Sequence, residues 1–202
     1  GDPVLAGDGW LDVAGTRLPL GDTPTWRGPL PQPADLCAAL LLARDVLSAA
    51  PPSSLLNEPW RSTLHRAEKT VRRGGLLEAT EILGGLGPGL TPAGDDVLAG
   101  ILLAHRALAG AGVEDGLLAI ARSAVTTDLS RALLAWAARG QAVEPVHDLL
   151  AALATGDRPA AVMAMERVAN LGASSGADLL LGLRLGLEPL PARTPPAVHP
   201  RG

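Results

Sequence analysis

The residues Gly85-Leu86-Gly87-Pro88-Gly89-Leu90-Thr91-Pro92-Ala93-Gly94-Asp95-Asp96 place four glycines and two prolines directly before a pair of aspartates. Apolar helical sequence lies on both sides. Glycines at 87, 89 and 94 free the backbone and let a ligand approach main-chain N–H groups closely. A helix that begins here carries unpaired N–H groups and a partial positive charge at its first turn, a setting that attracts phosphates and carboxylates. Thr91 adds a hydroxyl. Asp95 and Asp96 serve a helix start as caps and dipole partners. Adjacent aspartates point in different directions, so a second arrangement has one carboxylate capping and the other facing a ligand. That carboxylate could orient an amide, take a proton, or hold Mg²⁺ against a phosphate. The stretch lacks the strand–GxGxxG–helix unit of dinucleotide sites and the GK[ST] ending of a P-loop.

A second copy of the pattern stands near the C-terminus. Gly94-Asp95-Asp96-Val97-Leu98-Ala99-Gly100 aligns with Gly176-Ala177-Asp178-Leu179-Leu180-Leu181-Gly182 at an offset of 82 residues. Leu86-Gly87 and Leu171-Gly172 open the two loops, and hydroxyls precede both aspartates, Thr91 in one copy and Ser174 with Ser175 in the other. Glycine inside a helix costs about 1 kcal/mol relative to alanine, so Gly100 and Gly182 predict two helices that cross closely there. Their N-termini would then converge on one pocket. The expected site has Asp96 and Asp178 in the catalytic positions, binding amide groups or a metal, with Mg²⁺ the candidate. Gly87, Gly89, Thr91, Gly94, Asp95, Ser174, Ser175 and Gly176 would bind a small anion. The plainer alternative is an old duplication that left two ordinary helix caps.

The elements that must position these residues read as helices. Apolar periodicity and Gly/Pro breaks predict them over 34–49, 59–73, 76–83, 95–109, 114–125, 128–139, 143–154, 158–171 and 176–187. The first is apolar nearly all round and predicts a buried helix. Before it, Gly9 to Leu20 predicts two short strands around the Ala14-Gly15 turn. The expected fold is mainly α, of the α+β kind: a β-containing segment over 1–32, a helical domain over 33–188 and a loose proline-rich tail over 189–202.

Composition narrows the function. The 202 residues are 47% hydrophobic yet contain no Phe, no Tyr and four Trp. Few aromatic platforms, a net charge of −4 and a pI near 5.5 argue against nucleic-acid binding. No apolar run approaches the roughly 20 residues of a membrane span, and no signal peptide is visible. The single Cys37 forms no internal disulfide and fits the cytoplasm. It reads as a small buried residue. Arg61, His65, Lys69 and Arg72 form a basic stripe that reads as a solvated helix face. Lys69 is the only lysine. The four histidines show no metal spacing, and His105 lies about 15 Å along its helix from the loop. Thr126, Thr127 and Ser130 read as a helix start.

Taken together, the stretch from Gly85 to Gly100, the Thr126-Thr127-Asp128-Leu129-Ser130 segment with its helix to Gly140, and the ending Ser174 to Leu183 resemble the AllH family. The likeness covers about 80–187; the N-terminal segment matches poorly. It implies a subunit of oxamate carbamoyltransferase, an enzyme of anaerobic allantoin breakdown that interconverts oxalurate plus phosphate with oxamate plus carbamoyl phosphate. It also implies partner subunits of the FdrA and AllG types. The Ser-Thr-Arg-Thr loop of ordinary carbamoyltransferases is missing, so a carbamoyl-phosphate site would be built differently or lie on a partner. Two alternatives stand beside this reading: a non-catalytic assembly subunit, and a Mg²⁺-dependent phosphate enzyme acting alone.

Overall fold

The computed structural model describes residues 4–21, 28 and 30–188. The expected loose tail at 189–202 and part of the expected loop before residue 33 lie outside them. Three short strands, β1 (Val4–Gly7), β2 (Trp10–Val13) and β3 (Thr16–Pro19), form an antiparallel sheet in the order β1-β2-β3. The predicted Ala-Gly turn joins β2 to β3. Ala14 and Gly15 both have positive φ, 52° and 82°, the mirror-image turn whose twist suits a hairpin. Asp12 steadies it by accepting a hydrogen bond from the Gly15 N–H at 2.9 Å. β1 is a third strand that the sequence reading did not expect.

Nine α-helices follow among the described residues: α1 (Leu36–Ser48), α2 (Arg61–Arg72), α3 (Leu76–Leu83), α4 (Ala93–Ala109), α5 (Glu114–Ser123), α6 (Asp128–Ala138), α7 (Glu144–Thr155), α8 (Arg158–Ala169) and α9 (Ser175–Leu187). Each expected helix is present, with ends shifted by up to two residues. One expectation fails. α1 is not buried: only Ala43, Val46 and Leu47 are, Leu41 is 62% exposed, and Cys37 is exposed. α1 lies at the edge and presses one face on α7, α8 and α9. A helix of Leu and Ala all round does not reveal which face has a neighbour.

α4 and α9 form the centre of the core. A Cβ added to Gly100 would fall on the Leu179 carbonyl oxygen and within 2.6 Å of the Leu183 nitrogen; one added to Gly182 would fall on the Val97 carbonyl. Val97 and Leu179 stand at the same 82-residue offset as the two glycines. The crossing is therefore reciprocal, as across a two-fold axis. The relation extends outward. α1 packs on α9 as α6 packs on α4, and α2 pairs with α3 as α7 pairs with α8. The body reads as two four-helix units, α1–α4 and α6–α9, joined by α5 and interlocked through their last helices.

Candidate functional site

Both motif loops fold by the same local bonds. In the first, Leu86 N–H donates to the Leu83 carbonyl at 2.9 Å and Gly94 N–H to the Leu86 carbonyl at 2.8 Å. In the second, Leu171 N–H donates to Val168 and Gly176 N–H to Leu171, each at 3.0 Å. Gly94 and Gly176 rest against the carbonyls of Leu83 and Val168, where any Cβ would collide. The glycines are therefore needed for close packing of each new helix on the end of the one before it. Asp96 and Asp178 then occupy equivalent places, the fourth residue of α4 and of α9.

The three aspartates do different work. Asp95 is buried and caps nothing in its own helix. It accepts the Gly85 N–H at 2.9 Å and the Thr126 hydroxyl, tying the loop to the chain before α6. Asp178 is fully buried. It accepts the Ser53 hydroxyl at 2.6 Å, the Ser54 N–H at 2.8 Å and the Ser54 hydroxyl at 3.1 Å. These donors belong to a short 3₁₀ turn, Ser54–Leu56, in the connection from α1 to α2. Asp178 faces this turn, which sets it apart from the ligand-facing place the sequence suggested. Asp96 is half-buried, and its Oδ2 is enclosed with no hydrogen-bond partner among the described residues. Burial pushes its carboxyl up to about 7 from 3.8; a hydrogen bond from Ser175 pulls the other way, and the charges of Asp178 and Asp95 add to the rise.

Asp96 lies in the wall of a cleft of about 410 Å³ between α4, α6 and the N-terminus of α9. Ser175 and Gly176 line it from α9, Leu133 and Trp136 from α6, and Gln141 from the connection to α7. The rest of the lining is aliphatic, and no Lys, Arg or His takes part. Of the expected site residues, Asp96, Ser175 and Gly176 meet here. Ser174 is exposed just before α9, as its N-cap. Gly87, Gly89 and Thr91 lie outside the lining, on a loop held against α6: the Leu90 carbonyl accepts the Thr127 hydroxyl at 2.6 Å and the Ser130 hydroxyl at 3.3 Å. Thr127 also caps α6 through the Ser130 N–H.

Sequence reasoning missed Trp136, Gln141 and the Ser53-Ser54 pair. Trp136 carried a signal, since Leu129, Leu133 and Trp136 recur at helical spacing on α6 and remain 47%, 44% and 55% exposed. The basic stripe on α2 is exposed, as expected of a solvated face, and Arg72 pairs with Glu188. His105 is half-buried in α4, and burial lowers its pKa. Among the described residues no group of three or more His, Cys, Asp or Glu is placed to hold a metal ion, and no helix is long and apolar enough to cross a membrane.

A family model described as oxamate carbamoyltransferase subunit AllH matches residues 83–187. The chain belongs to the AllH family. The AllH match runs from the last residue of α3 to the last of α9, so it contains both motif copies and the whole cleft lining. The turn that engages Asp178 lies before it. The family's description names a subunit, which implies partner chains. No solved structure matches it.

Proposed function

We propose that this chain is the AllH component of a carbamoyl-transfer assembly acting on oxamate- or oxalurate-like compounds with carbamoyl phosphate. It would serve ureide and purine nitrogen breakdown in the cytoplasm, beside FdrA-like and AllG-like subunits. Its own contribution is the α4–α6–α9 cleft. Asp96 accepts an N–H of the substrate amide there, and with a carboxyl near neutrality it can take up or return the amide proton. The first turn of α9, at Ser174 to Gly176, draws the negative end of the ligand. This reading keeps one of the two anticipated anion-binding termini. The other, at Gly87 to Gly94, is engaged in holding α6.

The observation that carries this reading is the enclosed Oδ2 of Asp96. A buried acceptor without a donor costs free energy, and a carboxyl that burial raises to about 7 in the wall of a cleft marks a candidate functional group. In an assembly reconstituted with its partner subunits, Asp96→Ala should lower oxamate carbamoylation by about 100-fold with the complex intact by size-exclusion chromatography. Activity within a factor of two of wild type would overturn the reading.

The assembly-subunit alternative draws on the exposed Leu129, Leu133 and Trp136 stripe, which suits a subunit contact. It requires Leu129→Asp to dissociate the complex while Asp96→Ala leaves turnover intact. A Mg²⁺–phosphate enzyme acting alone would need phosphate beside Asp96, where the lining holds no cation and no second carboxylate. Turnover of carbamoyl phosphate by the isolated chain, abolished by chelation, is its test.

A further inference from the structure

Two outer helices leave apolar faces in the open, and the internal two-fold relation makes them counterparts: α1 on α9, and α6 on α4. On α1 the exposed leucines are Leu36 and Leu41. On α6 they are Leu129 and Leu133, and with Trp136 the stripe runs about 10 Å along the helix axis. The α6 face continues beyond the helix. Leu90 and Val125 stand beside its start at 73% and 86% exposure, and Val143 follows its end at 52%. Exposed apolar surface collected in this way marks a contact surface. Leu133, Trp136 and Val143 are also walls of the Asp96 cleft, so a chain seated on the stripe borders the cleft. All six residues fall within 83–187, the span that matches a family of subunits, whereas α1 lies before it. A contact common to such a family belongs on the face that the family shares, and that face is α6.

Charge says what the occupant brings. The proposed reaction sets two anions side by side, the carboxylate of oxamate and the phosphate of carbamoyl phosphate. The first turn of α9 offers a partial positive charge to one of them. For the other, no Lys, Arg or His lines the cleft among the described residues. The two arginines of the α6 region are engaged elsewhere. Arg131 donates to Asp128 and to the Thr126 carbonyl, and Arg139 donates to the Ala135 carbonyl and lies over the Trp136 ring. A phosphate between aliphatic walls without a counter-charge costs free energy that those walls do not return. We infer that the α6 stripe seats a partner subunit through apolar side chains, and that the seated segment carries a lysine or arginine over the mouth of the cleft, where it holds the phosphate. This rests on the proposed reaction at the cleft and adds the part that the chain does not itself supply. The site is then completed at a subunit boundary: this chain gives the amide-binding wall, and the partner gives the cation.

The complex reconstituted from this chain with FdrA-like and AllG-like subunits is the test. With p-benzoylphenylalanine in place of Trp136, irradiation should cross-link the chain to a partner segment that contains a Lys or Arg, identified by mass spectrometry. Replacing that basic residue by Gln should raise the KM for carbamoyl phosphate about tenfold or more. The KM for oxamate should stay within about a factor of two, with the complex intact by size-exclusion chromatography. Leu129→Asp, at the end of the stripe away from the cleft, should weaken association about tenfold or more by sedimentation. Circular dichroism verifies its fold; should it not fold, Leu90→Asp replaces it. A cross-link to a segment without a basic residue, or an unchanged KM in the Gln variant, would overturn the shared phosphate site. Association of the Leu129→Asp chain at wild-type strength would overturn the docking face. The cleft reading fails separately, through full turnover in Asp96→Ala; the phosphate cation would fall with it, while the docking face would stand on Leu129→Asp.

Discussion

Asp96 and Asp178 begin from nearly the same sequence and end in opposite electrostatic circumstances. Both stand fourth in a helix that follows a glycine loop, and both helices cross at Gly100 and Gly182. Asp178 accepts three groups from the Ser53-Ser54 segment. Asp96 keeps one oxygen enclosed without a donor and holds its proton to near neutral pH. The helix and the glycine do not decide what a carboxylate does. The neighbouring connection does, through the donors it brings.

The comparison breaks most completely at the axis both halves share. Gly182→Val would drive a side chain into the Val97 carbonyl and the Gly100 backbone. It should destabilise the fold by roughly 3 kcal/mol or more, read as a lowered urea midpoint or loss of soluble protein. Next, Asp178→Ala leaves Ser53 and Ser54 without their acceptor in a buried place. A loss of about 2–4 kcal/mol in urea denaturation is expected.

Asp96→Asn should act with the opposite sign. The native Asp96 carboxyl titrates near 7 against 3.8 unperturbed, with Asp95 and Asp178 the acidic neighbours that favour its neutral form. The native state therefore holds more protons than the unfolded state between those pH values. Stability from this group is full below about pH 4 and declines as pH rises through 7. Asp96→Asn should remove that decline and raise stability at pH 8 by about 1 kcal/mol, allowing for solvent at the mouth of the cleft. Thermal melts at pH 5 and pH 8 measure it; a destabilisation at pH 8 would place Asp96 in the same structural class as Asp178. The smallest effect belongs to Ser175→Ala, which removes the hydrogen bond that lowers the Asp96 pKa. The Asp96 carboxyl resonance should then titrate at higher pH, with the melting temperature nearly unchanged.

Much of this was legible in the residues, and for identifiable reasons. The glycines at 94, 100, 176 and 182 have no small-side-chain substitute where a helix meets a carbonyl, so their spacing announced the crossing. Helix breaks marked by Gly74-Gly75, Gly110 and Pro51-Pro52 were equally plain. The larger duplication was hidden, because loops of different length shift the register and apolar helices repeat only as Leu and Ala. The assignment of roles was hidden too. Nothing in Gly-Asp-Asp says that Asp95 turns to Thr126 and Asp96 to the cleft. Nothing in Asp178 says that Ser53 and Ser54, over a hundred residues earlier, come to it. Burial of α1 was misjudged because its exposed leucines look like core leucines until the neighbours are known.

Residues 139–143 join α6 to α7 by a short connection, where residues 49–60 join α1 to α2 by a long one. The long connection lays its own turn across α4 and α9, and the short one leaves the space beside Asp96 open. Splicing Pro-Ser-Ser-Leu-Leu into the short linker would bring hydroxyl donors and leucines to that space and close it with the protein's own chain.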